Sequence, residues 1–428
     1  MCVPALTESE IPAFLYCGYT PQYYPAPLNS LCDWPNQKNR RAAATQRDRT
    51  SLIAEGLEVL KTVFRESINE TRTAKTHVLP LSGGFDSRAI LGGLLENMNS
   101  SRIQTVTFGV PGAWDFEIGQ QVARSAGVRC ELIDLSSTVW KWDTLDLIKT
   151  AKRTECPLWV FDVYVNHHLP NHFDADCVFW SGFMGDPLAG SHLLGEDSIT
   201  WEQAMTRFVV RNRFSKSIDL TPPDFKPENC LPQSPLLDYA ILCYDEQLDF
   251  GIRQQCYVKP LVLPRDYNYC TPFLHQEWVN FILSVPHQYR EGQYLYKEIL
   301  KTAYPTLFSL PVKNNKGLPL TAPKWRRKAR VADLYSRLFA RRIFPNLCYF
   351  VHPGLNYIDF DRGLCKRNDL KEVVYENIQD LKKRGIVDWI DIDSIWSRHQ
   401  QQKAKHADAL TLLASLEINL KAEEATRT

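Results

Sequence analysis

The first clear periodicity lies at 51–70, SLIAEGLEVLKTVFRESINE, where Leu52, Ile53, Leu57, Leu60, Val63 and Phe64 recur at helical spacing and predict an amphipathic helix. The pattern then switches. THVLPLS (76–82) is a short apolar run closing on small residues, and IQTVTFG (103–109), RCELIDL (129–135) and CVFWSG (177–182) repeat the theme, so each reads as a buried strand. Between the first three lie SRAILGGLLENM and DFEIGQQVARSAG at helical spacing, the latter with Asp115 as the expected N-cap and Gly127 near its C-terminal end. This alternation predicts an α/β fold built on a doubly wound parallel sheet, with ligands at the carboxyl ends of the strands where the strand order switches.

Upstream, residues 1–50 carry Pro4, Pro12, Pro21, Pro25, Pro27 and Pro35 and read as an irregular segment. From about residue 200 the strand signal fades. TWEQAMTRFVVRNRF, PLLDYAILCYDEQLDFGIRQQ, HQEWVNFILSV and YLYKEILKTAY all predict helices, and 310–325 reads as a loop with three prolines. RRKARVADLYSRLFARRIF, DLKEVVYENIQDLKKRG and a last helix near 392–420 follow. The expected organisation is therefore 1–50 irregular, 51–320 the α/β domain, and 321–428 a helical C-terminal extension with a basic start.

Composition narrows the class. Apolar residues make up 44% and charged residues 23% of the 428, as in an ordinary globular protein. Fifty Lys and Arg against 49 Asp and Glu leave a formal charge of +1, which argues against a nucleic-acid binder. No apolar run reaches about 18 residues, so no membrane partner is expected, and the first residues lack the pattern of a secretion signal. None of the 12 cysteines forms a Cys-x-x-Cys pair, and their density is far below that of a disulfide scaffold. Reduced thiols in a cytoplasmic protein are the expectation. His167, His168 and His172 lie close in sequence, but Pro170 breaks any helix between them, and a core role is expected.

The informative segment is Leu81-Ser82-Gly83-Gly84-Phe85-Asp86-Ser87-Arg88, after a predicted strand and before a predicted helix. Adjacent glycines leave backbone N–H groups unobstructed at a helix N-terminus, an arrangement that binds anions. Ser82 and Ser87 add hydroxyls. Asp86 places a carboxylate beside the anion, as a holder of Mg²⁺ would. A Walker A loop is excluded, because no lysine follows. The segment resembles the Ser-Gly-Gly-x-Asp-Ser loop of the N-type ATP pyrophosphatases (PP-loop superfamily). The ordered set Thr107-Phe108-Gly109, Asp115, Gly127, Ser181-Gly182-Phe183-Met184-Gly185-Asp186, Pro272-Phe273-Leu274, Lys297, Pro305 and Lys313 is similar to the asparagine synthetase C-terminal domain over about residues 50–320.

That resemblance implies an ATP-dependent, AMP-forming amide ligase. ATP and Mg²⁺ would be the cofactors, a small-molecule or peptide carboxylate the substrate, and ammonia or an amine the nucleophile. Carried over by position, Ser82, Gly83, Gly84, Asp86 and Ser87 would bind pyrophosphate, and Asp86 and Asp186 the metal. Leu81 and Phe108 would flank the adenosine, Ser181 and Gly182 would meet it through the backbone, and Lys297 would neutralise the phosphates. The pattern also departs from the family. Phe183 stands where asparagine synthetases have glutamate, and Pro187 where they have a second one. His192 follows a few residues on, and the residues around Pro272-Phe273-Leu274 are not those that accompany an aspartate substrate. These departures keep open a specialised amide synthase or cyclase of the β-lactam-synthetase or lasso-peptide-cyclase type, and a nucleotide-binding homologue without turnover. Met1-Cys2 has too little chain before the first strand for the family's glutaminase domain, and 14–21 resembles the interdomain linker. A synthetase half alone is expected, with ammonia from solution or a separate glutaminase. KWRRKARVADLYSRLFARR (324–342), with eight basic residues and one acidic, reads as a solvated helix face, with RNA, acidic lipid, or a leader peptide or partner protein as the alternative ligands of such a basic helix.

Overall fold

The computed structural model describes residues 6–21, 28, 31, 34–137, 140–154, 156–174, 176–193, 195–265, 267–343 and 351–427. Five parallel strands form one sheet: β1 (Thr76–Pro80), β2 (Ile103–Gly109), β3 (Arg129–Asp134), β4 (Cys177–Trp180) and β5 (Tyr269–Cys270), in the order β3-β2-β1-β4-β5. The four strands expected from sequence are present. The fifth is two residues long and follows β4 in register, Phe179 opposite Tyr269, so no periodicity announces it.

The principal helices, in chain order, are α1 (Arg49–Glu70), α2 (Asp86–Asn97), α3 (Trp114–Ala126), α4 (Thr144–Lys152), α5 (Val160–His168), α6 (Gln276–Ser284), α7 (Tyr294–Ala303), α8 (Lys324–Ile343), α9 (Asn368–Arg384) and α10 (Ala407–Arg427). Successive strand residues point to opposite faces, and the two faces feed separate cores. Leu79, Val178 and Trp180 join α1, α2, α3, α6 and α7 in one core. Val78, Val106 and Phe179 join α4, α5, α9 and α10 in the other. Both faces are covered, which explains why the strands read as continuous apolar runs. The last two helices complete the second core: Leu410, Leu413 and Leu416 are fully buried.

The amino-terminal segment departs from its expected irregularity. Ile11–Cys17 and Trp34–Thr45 are helical. Pro12 sits in the first turn of the former, where no N–H is lost, and Gly18 ends it at φ +79°, its N–H donating to the Phe14 carbonyl. Phe14 and Tyr19 are buried, so 14–21 packs into the body. Downstream, the stretch expected as one helix over 235–255 begins at Tyr244 and becomes a π-helix over Asp249–Val258. The last helix is two, Ile392–Gln400 and α10, parted at Gln402 (φ +55°). α8 is exposed along most of its length. The nine described cysteines are free thiols. Cys2 lies outside the described residues. No helix among the described residues is long and apolar enough to cross a membrane.

Candidate active site

β1 has its neighbours in chain order on opposite sides, β2 toward β3 and β4 toward β5, so the strand order reverses between β1 and β4. The crevice beyond their carboxyl ends is the expected ligand site of such a sheet. A cavity of about 650 Å³ opens there, lined by both loops that follow these strands.

The first loop leaves β1 with the Leu81 N–H still bound to the Val106 carbonyl at 2.8 Å. The Ser82 N–H and hydroxyl meet the Ser87 hydroxyl at 3.2 Å, and the Gly84 N–H donates to Ser82 Oγ at 3.2 Å, which closes the turn onto the start of α2. The Gly83 N–H donates to Asp115 Oδ1 at 3.0 Å. Asp115 is thus not the N-cap of α3; Ala113 holds that position, and the Asp115 carboxylate reaches across to the loop.

The second loop comes to the same place. After β4, Met184 adopts φ +66°, costly for a side chain with a Cβ. Gly182 and Gly185 pack directly on Asp86: a Cβ at Gly182 would fall 2.7 Å from Asp86 Cβ, and one at Gly185 2.6 Å from Asp86 Cγ. Only glycine allows this approach. Asp86 and Asp186 therefore face each other, and the Asp186 backbone N–H is hydrogen-bonded to Asp86. Residues of and before α7 hold them: the Tyr296 hydroxyl donates to Asp86 Oδ1 at 2.7 Å, and the Gln293 amide donates to Asp186 Oδ1. Burial first, and then the Asp186 charge, push the Asp86 carboxyl well above the ordinary carboxylate range. Two acids crowded together on the cavity wall could hold a cation, and oxygen donors of this kind suit magnesium.

Of the residues named from sequence, Leu81, Ser82, Gly84, Asp86, Ser87, Phe108, Ser181, Gly182 and Asp186 all line the cavity. Gly83 lies beside it, its N–H engaged by Asp115. Lys297 is placed differently from expectation. Its amine donates to the Gly292 carbonyl at 2.7 Å and lies 5.7 Å from the Phe85 ring centroid, outside the lining. Burial lowers its pKa, opposed by the Asp186 charge. The lysine on the cavity wall is Lys313. Its backbone N–H donates to the Gly83 carbonyl at 2.8 Å, and its amine reaches Asp115 and Asn356. Arg88, fully buried, fixes that segment: its guanidinium donates to the carbonyls of Leu307 (3.0 Å), Leu310 (3.3 Å) and Pro311 (2.6 Å).

The rest of the wall combines aromatic and apolar side chains with polar groups that sequence reading left without a role. His192 Nδ1 lies 2.8 Å from Asp249 Oδ2. Burial would raise Asp249, but the His192 hydrogen bond and the charges of His192 and Arg253 bring it below the ordinary range. Arg253, Gln254 and Tyr257 enter the lining from the π-helix, and Asp162 and Asn166 from α5. An acid in the apolar stretch Val160-Phe161-Asp162-Val163 was the available signal. Phe183 is buried in the first core. The three histidines form no common site: His167 Nε2 meets the Pro260 carbonyl at 3.0 Å, while His172 meets Glu131 at 3.3 Å. Neither a protein-family model nor a curated protein matches the chain.

Proposed function

We propose that this protein is an ATP-dependent, AMP-forming amide ligase of the PP-loop type, activating a carboxylate as its acyl-adenylate and passing the acyl group to ammonia or an amine. One observation carries the reading: the two loops at the strand-order switch interlock through Gly182 and Gly185 so that Asp86 and Asp186 meet beside a turn rich in backbone N–H donors. In that frame Asp86 and Asp186 would hold Mg²⁺, which when bound supplies charge stabilisation for the departing pyrophosphate. Ser82, Gly84 and Ser87 would orient the outer phosphates through N–H and O–H donors. Lys313, rather than Lys297, would supply the fixed cation, because it lines the cleft and is locked to Gly83.

Phe183 offers no acceptor, so the second half-reaction would differ from that of asparagine synthetases. This favours the specialised amide synthase over the ammonia-dependent parent. The test is the product pattern. MgATP with a panel of carboxylic acids should give AMP and pyrophosphate, and Asp86→Ala should abolish acid-dependent ATP–pyrophosphate exchange with the fold intact. ADP and phosphate as products, or exchange retained in Asp86→Ala, would refute the reading.

A further inference from the structure

One long element takes no part in the cores or in the proposed chemistry. α8 runs for 20 residues, yet none of its described residues belongs to a buried core or packs against one. Its sequence is nevertheless two-sided. Trp325, Ala329, Ala332, Tyr335, Phe339 and Ile343 follow one another at steps of three or four, a stripe about 27 Å long at 1.5 Å per residue. All six are exposed, Trp325, Tyr335 and Phe339 at 64%, 68% and 65%. A helix draws most of its stability from packing such a face, and a contiguous exposed apolar strip marks an interaction surface.

The opposite side of α8 is basic. Arg326, Arg330 and Arg337 line it, and Lys324 and Lys328 border the stripe. The one acid, Asp333, is paired with Arg337 at 3.1 Å. The helix carries eight basic residues and one acid in a chain whose formal charge is +1, so the rest of the chain is net negative. The partner must therefore be anionic, and it must receive aromatic rings from one side of the helix and cations from the other. Single-stranded RNA needs rings and cations converging in one groove, and here they diverge. An acidic protein surface would cover one side only. An anionic bilayer serves both: Trp, Tyr and Phe seat at the boundary of headgroups and acyl chains, and the long Lys and Arg stems reach back to the lipid phosphates. A helix lying in that plane needs no membrane-spanning length.

We propose that α8 is an interfacial anchor that binds this protein reversibly to the surface of an anionic lipid bilayer, independently of what its cleft catalyses. The net-negative remainder of the chain is repelled by the same surface, so α8 also sets the orientation of the bound protein.

Flotation of the full chain with unilamellar vesicles tests this, using phosphatidylcholine alone against phosphatidylcholine with about 30 mol% phosphatidylglycerol, in about 0.1 M NaCl. The wild type should partition at least about tenfold more strongly onto the anionic vesicles. Arg326→Glu with Arg330→Glu, and separately Tyr335→Ser with Phe339→Ser, should each lower that partition about tenfold or more. All four side chains are exposed, so the thermal melt should stay within about 2 °C of wild type. Lys366→Glu with Lys371→Glu, the same charge change at exposed positions away from α8, should lower partition by less than about threefold. Equal partition onto both vesicles, full binding in the Tyr335 and Phe339 variant, or an equal loss from the Lys366 and Lys371 variant would overturn the proposal. So would capture by single-stranded RNA in place of vesicles, which would assign α8 to RNA instead.

Discussion

Asp162→Asn has a consequence that can be measured without any substrate. Burial drives the Asp162 carboxyl up to about 6 from its ordinary 3.8, against the Tyr257 and Tyr357 hydroxyls, which lower it. The folded chain therefore holds this proton more tightly than the unfolded chain. Stability contributed here is fully present below about pH 4, declines as pH rises toward 6, and is level above that. The span from 3.8 to about 6 is worth about 3 kcal/mol. Asparagine has no such titration. Its amide still accepts from Tyr257, and its unpaired NH₂ costs about 1–2 kcal/mol at every pH.

Relative to wild type, the variant should thus be slightly less stable at pH 4 and more stable at pH 7.5, the relative change totalling about 3 kcal/mol. At ~2.1 cal/mol/K of unfolding entropy per residue, that is about 3 °C in Tm for a chain this long. Paired thermal melts at pH 4, 5, 6 and 7.5 read it directly. Because both chains share every other titrating group, the difference isolates position 162. A Tm difference that stays constant within about 0.5 °C across this range would refute the claim that burial makes the folded chain hold the Asp162 proton.

Other expectations concern the proposed phosphate end. Arg88→Met removes a buried guanidinium from three carbonyls ahead of Lys313 and should cost about 3–5 kcal/mol in chemical denaturation, whereas a surface arginine change costs well under 1. Lys313→Ala should lower ATP–pyrophosphate exchange by about 10²–10³-fold, while Lys297→Ala, whose amine is turned to Gly292, should lower it by less than about tenfold; the reverse ranking would restore Lys297 as the phosphate cation. Gly185→Ala puts a methyl 2.6 Å from Asp86 Cγ and should destabilise by about 1–3 kcal/mol while abolishing Mg²⁺-dependent nucleotide affinity, seen as loss of the Tm rise that MgATP gives the wild type.

What the amino-acid sequence revealed, and what it hid, follows from the range over which each feature is encoded. β1, β2, β3 and β4 are local apolar runs, and the Ser82–Ser87 turn is local too, because its glycines and hydroxyls act within six residues of one another. Gly18 and Pro12 were equally local signals, but the count of prolines over 1–50 masked a short helix that uses one of them at its start. β5 escaped because two residues carry no period, and the π-helix because its pattern overlaps that of an α-helix. Lys297 and Lys313 differ only in tertiary placement. The motif spacing admits either lysine, and the bond from the Lys313 backbone to Gly83 is what favours Lys313 in the proposed role.

The two ends of the cleft differ in the same way, and that difference has a functional meaning. The proposed phosphate end is built from consecutive residues on two loops, so its chemistry is written in short motifs. The rest of the wall draws Asp162 from α5, His192 from the second loop, Tyr257 from the π-helix, and Tyr357 from the chain beyond α8. Each is unremarkable in its own sequence context, and only the fold assembles them. A nucleotide is the same ligand wherever it is bound, so its site can be a fixed local device. A site for the variable substrate is instead assembled from scattered positions, each free to change without disturbing the phosphate loop. On this reasoning, exchanging Asp162 or Tyr257 should alter which acid is accepted while MgATP affinity stays within about threefold of wild type, and a parallel loss of both would show that the two ends are one unit.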